Sequence, residues 1–302
     1  MRNEIYNREW RWMEQLSAAL HVFSANIGSV IKVMAIIFLP ISLLEVIISD
    51  RMMTAYTLFQ QVMPTGDATM VHVDASLLMD TAYQVLLNFG LMFMVSLFLQ
   101  PVGIITIAKV VKQYINEEEV SFGKALSEAF TLMPTIILTG IIFGVLVFLG
   151  SLVIVPGVYY SIAWGLYLYA IGLSDKKGWE ALKYSKGLVK GKWLRTFGYL
   201  WLLSIIAMLW NSVFQLIYSF APEGFGSDVL YNVLCYFSAA FTAVGETLLF
   251  INREGITYEV RPAAAYTPAA EMPGEEADIP LETVEGTVEG EPVEHNEEKH
   301  NE

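Results

Sequence analysis

Two charged side chains, Lys32 and Glu246, lie inside long apolar runs of the sequence. Each lies only a few residues from one end of its run, and the distribution of charge along the chain predicts that both of those ends lie on the same side of the membrane. An unpaired charge in a hydrocarbon layer costs several kcal/mol, so such charges often mark a functional site. The matched depths would let the two residues pair at a gate or a headgroup site. The alternative is a lysine and a glutamate that reach the membrane boundary independently.

A second group of candidates lies between residues 176 and 195, where seven of the 18 basic residues occur. Anionic headgroups attract each lysine near a membrane surface by about 1 kcal/mol, and tryptophan prefers the depth of the headgroups. We therefore expect contact with anionic lipid through five side chains of this region. They are Lys183, Lys186, Lys190, Trp179 and Trp193. The alternative is that the lysines serve only to orient the chain.

Three aromatic residues, Tyr160, Trp164 and Tyr167, recur at helical spacing and share one face. An aromatic pocket is one interpretation of this face. The other is an ordinary belt of aromatic side chains at the membrane boundary, where tyrosine and tryptophan are enriched.

The residue types that bind metals or perform covalent catalysis are sparse. There is one cysteine, Cys235, and four histidines, at 21, 72, 295 and 300, none with metal-ligand spacing. No glycine-rich phosphate loop or nucleophile with a neighbouring base is recognisable. The sequence therefore predicts no enzyme, no cofactor and no metal site. It also predicts no nucleic-acid binding, because a dense basic stripe is missing.

The elements that would hold these residues are long apolar segments. The chain of 302 residues is 55% apolar and only 16% charged, against about 25% charged in soluble domains. Crossing a bilayer takes about 20 apolar residues. Six runs qualify: 26–48, 78–108, 134–155, 157–174, 196–219 and 229–251. The predicted fold class is an all-α polytopic membrane helix bundle of about six transmembrane helices within residues 26–255, with a kink at Pro101 and a tight turn at 155–157.

Amphipathic segments precede the first, third and fifth runs, at residues 8–23, 121–133 and 178–194. We expect them to be interfacial helices, so that residues 1–25 form an N-terminal interfacial helix. The chain would then consist of three units, each an interfacial helix followed by a membrane hairpin. Whether these units are a true repeat stays open.

The distribution of charge predicts the orientation. Of the 18 Lys and Arg residues, 16 lie in the N-terminus, in the segments after runs two and four, and in the C-terminus. Because positive segments stay in the cytoplasm, both ends are expected to be cytoplasmic. The chain has a net charge of −13, and most of it lies in residues 252–302, which hold 14 acidic and 3 basic side chains. We expect an acidic disordered cytoplasmic tail at 256–302.

The stretches Ile154–Trp164 and Asp175–Trp193 carry a family resemblance. Their Val-Pro-Gly-Val-Tyr-Tyr and Gly-Trp-Glu-Ala-Leu segments resemble the membrane domain attached to some bacterial glycerophosphoryl diester phosphodiesterases, and related stand-alone membrane proteins of unknown role. Relatives often have a basic residue where this chain has Ala163. The resemblance implies the fold and a bacterial inner-membrane location. It does not imply phosphodiesterase activity, since the barrel with the catalytic His, Glu and metal ligands is absent from this sequence.

The sequence thus favours a non-catalytic integral membrane protein that binds lipid or a protein partner in the bacterial inner membrane. Its expected partners are the lipid bilayer and its anionic lipids. A small transporter or channel is the alternative, and it would need a continuous polar path. A membrane-embedded lipid-modifying enzyme would want clustered His, Asp or Glu at one depth.

Overall fold

The computed structural model describes residues 2–62 and 75–258, and every regular element within these ranges is helical. The all-α polytopic bundle predicted from the sequence is confirmed. The last helix ends at Tyr258, so the predicted acidic tail lies almost wholly outside the described residues.

The first half of the chain consists of short amphipathic helices followed by two very long ones. Its helices are α1 (Arg2–Asn7), α2 (Trp12–Ala25), α3 (Ile27–Val33), a π-helix (Met34–Phe38), α4 (Leu39–Val62), α5 (Ala75–Phe98) and α6 (Gln100–Ile115). The break between α5 and α6 falls at Leu99, beside the predicted kink, because Pro101 has no N–H to continue the hydrogen-bond ladder.

The second half begins with a short helix, continues with a helical hairpin, and ends with two long helices. Its helices are α7 (Phe122–Thr131), α8 (Met133–Ser151), α9 (Ile154–Trp164), α10 (Tyr167–Ser174), α11 (Gly178–Val189), α12 (Trp193–Tyr218) and α13 (Phe225–Tyr258). Helix α13 is the central helix, because it packs against α1, α2, α4, α6, α11 and α12.

Five helical segments of the described chain are long and apolar enough to cross a membrane. They are Ile27–Gln60, Ala75–Ile115, Met133–Ser151, Trp193–Tyr218 and Phe225–Thr257. The fourth predicted run, 157–174, is instead divided between α9 and α10. The side chain of Ser185 occupies this break: its hydroxyl donates to the Ala163 carbonyl at 3.0 Å and accepts from the Leu166 N–H at 3.2 Å. A neighbouring helix thus satisfies the backbone groups that the break releases.

The amphipathic segments are helical as predicted, but protein covers much of their apolar surface. Helix α2 packs on α13, α7 on α6, and α11 on α8, α9 and α10. In α11 the covered side chains are Ala181, Leu182, Ser185, Leu188 and Val189. The N-terminal segment forms two helices rather than one, since α1 ends at Asn7 and α2 begins at Trp12.

Candidate functional site

Helix α11 and the residue that caps its C-terminus present three exposed lysines on successive turns. The helix ends at Val189 because Gly191, two residues later, has a φ of +76°, which glycine adopts readily. Lys183, Lys186 and Lys190 point away from the buried side of α11. No carboxylate of the described chain lies within ion-pair distance of any of them. Their charges are therefore available to a ligand.

Other basic residues of the same segment are already engaged by the protein. The ammonium of Lys176 lies 2.8 Å from the Glu180 carboxylate. Lys192 and Arg195 lie 3.8 Å and 2.8 Å from the carboxylate of Glu9. Of the seven basic residues in this segment, three therefore have a carboxylate partner, whereas Lys177, Lys183, Lys186 and Lys190 have none among the described residues.

An aromatic stack from α9 lies beside one of these lysines, Lys186. The rings of Tyr160 and Trp164 are stacked with centroids 4.4 Å apart, and Trp179 of α11 lies 6.1 Å from Trp164. The Lys186 ammonium lies 5.8 Å from the centroid of the Tyr160 ring. Trp164 is 7% exposed, whereas Trp179 is 48% exposed. The stack is therefore buried at Trp164 and exposed at Trp179, and the positive charge of Lys186 lies beside it.

Trp193 extends this surface at the start of α12. Its indole N–H donates to the Tyr159 carbonyl at 3.3 Å, and its ring stacks between those of Tyr159 and Phe197. We call Tyr160, Trp164, Trp179, Lys183, Lys186, Lys190 and Trp193 the lysine–aromatic surface. It combines side chains that the sequence suggested as two separate sites.

Tyr167 does not belong to the lysine–aromatic surface. Its ring stacks on Phe143 of α8 at 4.8 Å, and its hydroxyl lies over Gly140. The break at Gly165 interrupts the helical periodicity that placed Tyr167 on the same face as Trp164. Its role in the structure is to pack α10 against α8.

Lys32 and Glu246 are not brought together. Lys32 is exposed, and the Glu246 carboxylate instead accepts a hydrogen bond of 2.7 Å from the Tyr169 hydroxyl. A second polar contact within the bundle joins Glu45 to Tyr236 at 2.5 Å and to Gln100 at 3.1 Å. These contacts join α4, α6 and α13.

These two polar contacts lie at different levels of α13. Tyr236 and Glu246 are ten residues apart on α13, which is about 15 Å at 1.5 Å per residue. Each carboxylate is held by hydroxyl or amide groups of neighbouring helices, which is a common way to join helices in membranes.

The Glu9 cluster, composed of Glu9, Lys192, Arg195 and Arg253, joins three distant parts of the chain. The Arg253 guanidinium donates to Glu9, and its side chain is only 3% exposed. Burial alone would raise the pKa of the Glu9 carboxyl, but the hydrogen bond from Arg253 and the other basic neighbours together hold that pKa below its ordinary value. Glu9 therefore stays ionised and ties the N-terminus to α12 and α13.

The residue before Arg253 strengthens this junction. The Asn252 amide donates to the carbonyls of Ile5 and Arg8 at 2.7 Å and 2.8 Å, and its oxygen accepts from the Trp10 N–H at 3.3 Å. Sequence analysis missed these residues. The available signal was a run of three polar residues, 252–254, at the end of an apolar helix.

The chain was also compared with known proteins. No protein-family model, curated protein or solved structure matches it.

Proposed function

We propose that this protein binds anionic phospholipid headgroups in the membrane through its lysine–aromatic surface. The observation that carries the proposal is the set of exposed lysines on α11, free of carboxylates in the described chain, beside stacked aromatic rings. A lipid phosphate would supply the missing negative charge. The exposed indole of Trp179 would contact the glycerol and upper acyl region, which is the depth that tryptophan prefers.

The docking of α11 supports a specific site over general adsorption. A helix that only lies on a membrane is held there by its apolar face in the lipid. In α11 that face is buried against α8, α9 and α10, so lipid contact depends on the lysines and the aromatic rim. The Cβ atoms of lysines one turn apart are about 5–6 Å from each other. At this spacing the ammonium groups of two lysines can approach one phosphate group.

Removing these charges should weaken lipid binding strongly. The triple variant K183Q/K186Q/K190Q is expected to bind phosphatidylglycerol on the order of 100-fold more weakly than the wild type, at about 1 kcal/mol per lysine. Native mass spectrometry of the full-length protein in detergent measures this affinity. Raising the salt concentration should weaken binding by the wild type, because screening reduces the attraction.

The matched control removes the same charge elsewhere. Arg51, Lys124 and Lys177 are exposed and lie outside the lysine–aromatic surface. R51Q/K124Q/K177Q should retain most of the affinity. Equal losses in the two triple variants would show that only net charge matters, and the proposed site would be wrong.

We further propose that both ends face the cytoplasm of a bacterium, with the protein in its inner membrane. The excess of positive residues supports the orientation, and the resemblance of 154–193 to phosphodiesterase-attached membrane domains supports the location. With Cys235 replaced by alanine, a cysteine at Glu223 should react with an impermeant thiol reagent in intact cells. A cysteine at Lys177 should react only after lysis, and the reverse pattern would invert the orientation.

A further inference from the structure

One face of α12 is polar although α12 is apolar enough to cross a membrane. This face forms a groove of about 670 Å³ with the neighbouring part of α13. Its polar lining consists of Ser204, Asn211, Ser212 and Gln215 of α12 and of Tyr231 and Thr242 of α13. The groove opens to the outside of the bundle, where the surroundings of a spanning helix are lipid.

The hydroxyl groups of the groove are satisfied locally, but its amides are not. Ser204 and Ser212 donate to carbonyls of their own helix at 2.9 Å and 2.8 Å. The Asn211 side-chain oxygen accepts from the Ser238 hydroxyl at 2.7 Å. Within the described chain, neither the Asn211 amino group nor the Gln215 side chain has a hydrogen-bond partner.

The depth of Asn211 makes its amino group costly to leave unpaired. Arg195 marks one end of α12 through its contact with Glu9, and Asn211 follows sixteen residues later, about 24 Å along the helix axis. The hydrocarbon core is about 30 Å thick. Asn211 therefore lies inside the core, about 6 Å from its far boundary. An unpaired polar group at this depth is unfavourable, and a partner helix would satisfy it.

We propose that a second copy of this chain covers the groove, so that the Asn211 and Gln215 side chains of the two copies face each other across a two-fold axis. A side-chain amide carries both a donor and an acceptor. The amides of one copy can therefore pair with the same amides of the other copy, which is the condition for an isologous two-fold interface. This dimer does not depend on the proposed lipid site, because Trp193 is the one residue of the lysine–aromatic surface on α12, and it precedes Asn211 by 18 residues.

The other exposed face of α12 shows what a lipid-facing surface looks like in this protein. Ile206, Leu209, Trp210 and Val213 line an apolar groove there. Leu209 and Val213 are both exposed. This face suits acyl chains, and it provides a control for substitutions in the polar face.

The dimer is tested by single-molecule photobleaching of the labelled full-length protein in liposomes over a range of protein densities. The wild type should show two-step bleaching as density rises. N211A/Q215A should need a roughly tenfold higher density, given the usual strength of hydrogen bonds between membrane helices. L209A/V213A should dimerise as the wild type does. A wild type that is monomeric at every density, or equal effects of the two variants, would overturn the proposal.

A cross-linking experiment keeps the amides in place. With Cys235 replaced by alanine, Ser212→Cys should give a disulfide-linked dimer on mild oxidation of native membranes. Val213→Cys, on the opposite face, should give none. Failure of Ser212→Cys to cross-link in folded protein, or equal cross-linking at both positions, would contradict the two-fold arrangement. A groove covered by a different protein would give this negative result.

Discussion

Replacing Glu9 with alanine is expected to lower the free energy of unfolding by about 3 kcal/mol. The substitution leaves the Arg253 guanidinium buried without its carboxylate, and breaking one partner of a buried ion pair costs about 3–5 kcal/mol. We expect the lower end of that range, because Glu9 and Arg195 are partly exposed to solvent. Titration with a denaturing detergent, followed by circular dichroism, measures the change.

Glu14 provides the control for Glu9. It also accepts from an arginine, Arg8 at 3.1 Å, but both side chains are well exposed to solvent. Exposed ion pairs contribute little to stability. The Glu14→Ala variant should therefore lose far less than Glu9→Ala. Similar losses in the two variants would mean that the Glu9 cluster does not hold the N-terminus, α12 and α13 together.

The second large effect is expected in the first turn of α9, where Gly157 packs against the end of α8. A Cβ atom on Gly157 would lie 2.7 Å from the Cα of Ser151 and 2.9 Å from its nitrogen. These are backbone atoms of the facing helix, so the hairpin would have to open. Overpacking of this kind costs about 1–3 kcal/mol, and we expect Gly157→Ala to destabilise the protein by that amount.

A glycine of the same hairpin should behave in the opposite way. Nothing lies within 4 Å of a Cβ atom built on Gly144 of α8. Alanine is favoured over glycine inside helices by up to about 1 kcal/mol, so Gly144→Ala should be neutral or stabilising in the same titration. If Gly157→Ala is also neutral, α8 and α9 cannot approach each other at Gly157 as closely as they do in the structure.

The Gly157 variant also bears on the candidate site. Helix α9 carries Tyr160 and Trp164, and opening the hairpin would move both away from Lys186. We therefore expect Gly157→Ala to weaken lipid binding as well as stability, whereas Gly144→Ala should leave lipid binding unchanged.

Local patterns predicted most of the helices. Apolar runs and the proline at 101 act over a few residues, so sequence alone locates them. The turn predicted at 155–157 was misplaced: α8 ends at Ser151 and α9 begins at Ile154, so Pro156 and Gly157 lie in the first turn of α9, where a proline is tolerated. The division of the fourth run could not be predicted in the same way. Gly165 hinted at a break, but the break is completed by Ser185, a residue of the next helix.

The residues of the site could be predicted from the sequence, but their arrangement in space could not. The lysines of α11 and the aromatics of α9 are each visible as helical faces. That Lys186 lies over Tyr160 follows from the antiparallel packing of the two helices, which no local pattern encodes. The Glu9 cluster was missed for the same reason, since Glu9 and Arg253 are separated by 244 residues.

The proposed function is tested most directly by locating bound lipid on the full-length protein. A phosphatidylglycerol analogue with a photoactivatable group on its headgroup can be cross-linked in nanodiscs and mapped by peptide mass spectrometry. We expect labelling to be concentrated on peptides from 159–193 and to be reduced in K183Q/K186Q/K190Q, with little labelling there by a phosphatidylcholine analogue. Labelling spread evenly over the basic segments, or equal labelling by the two analogues, would contradict a headgroup site on the lysine–aromatic surface.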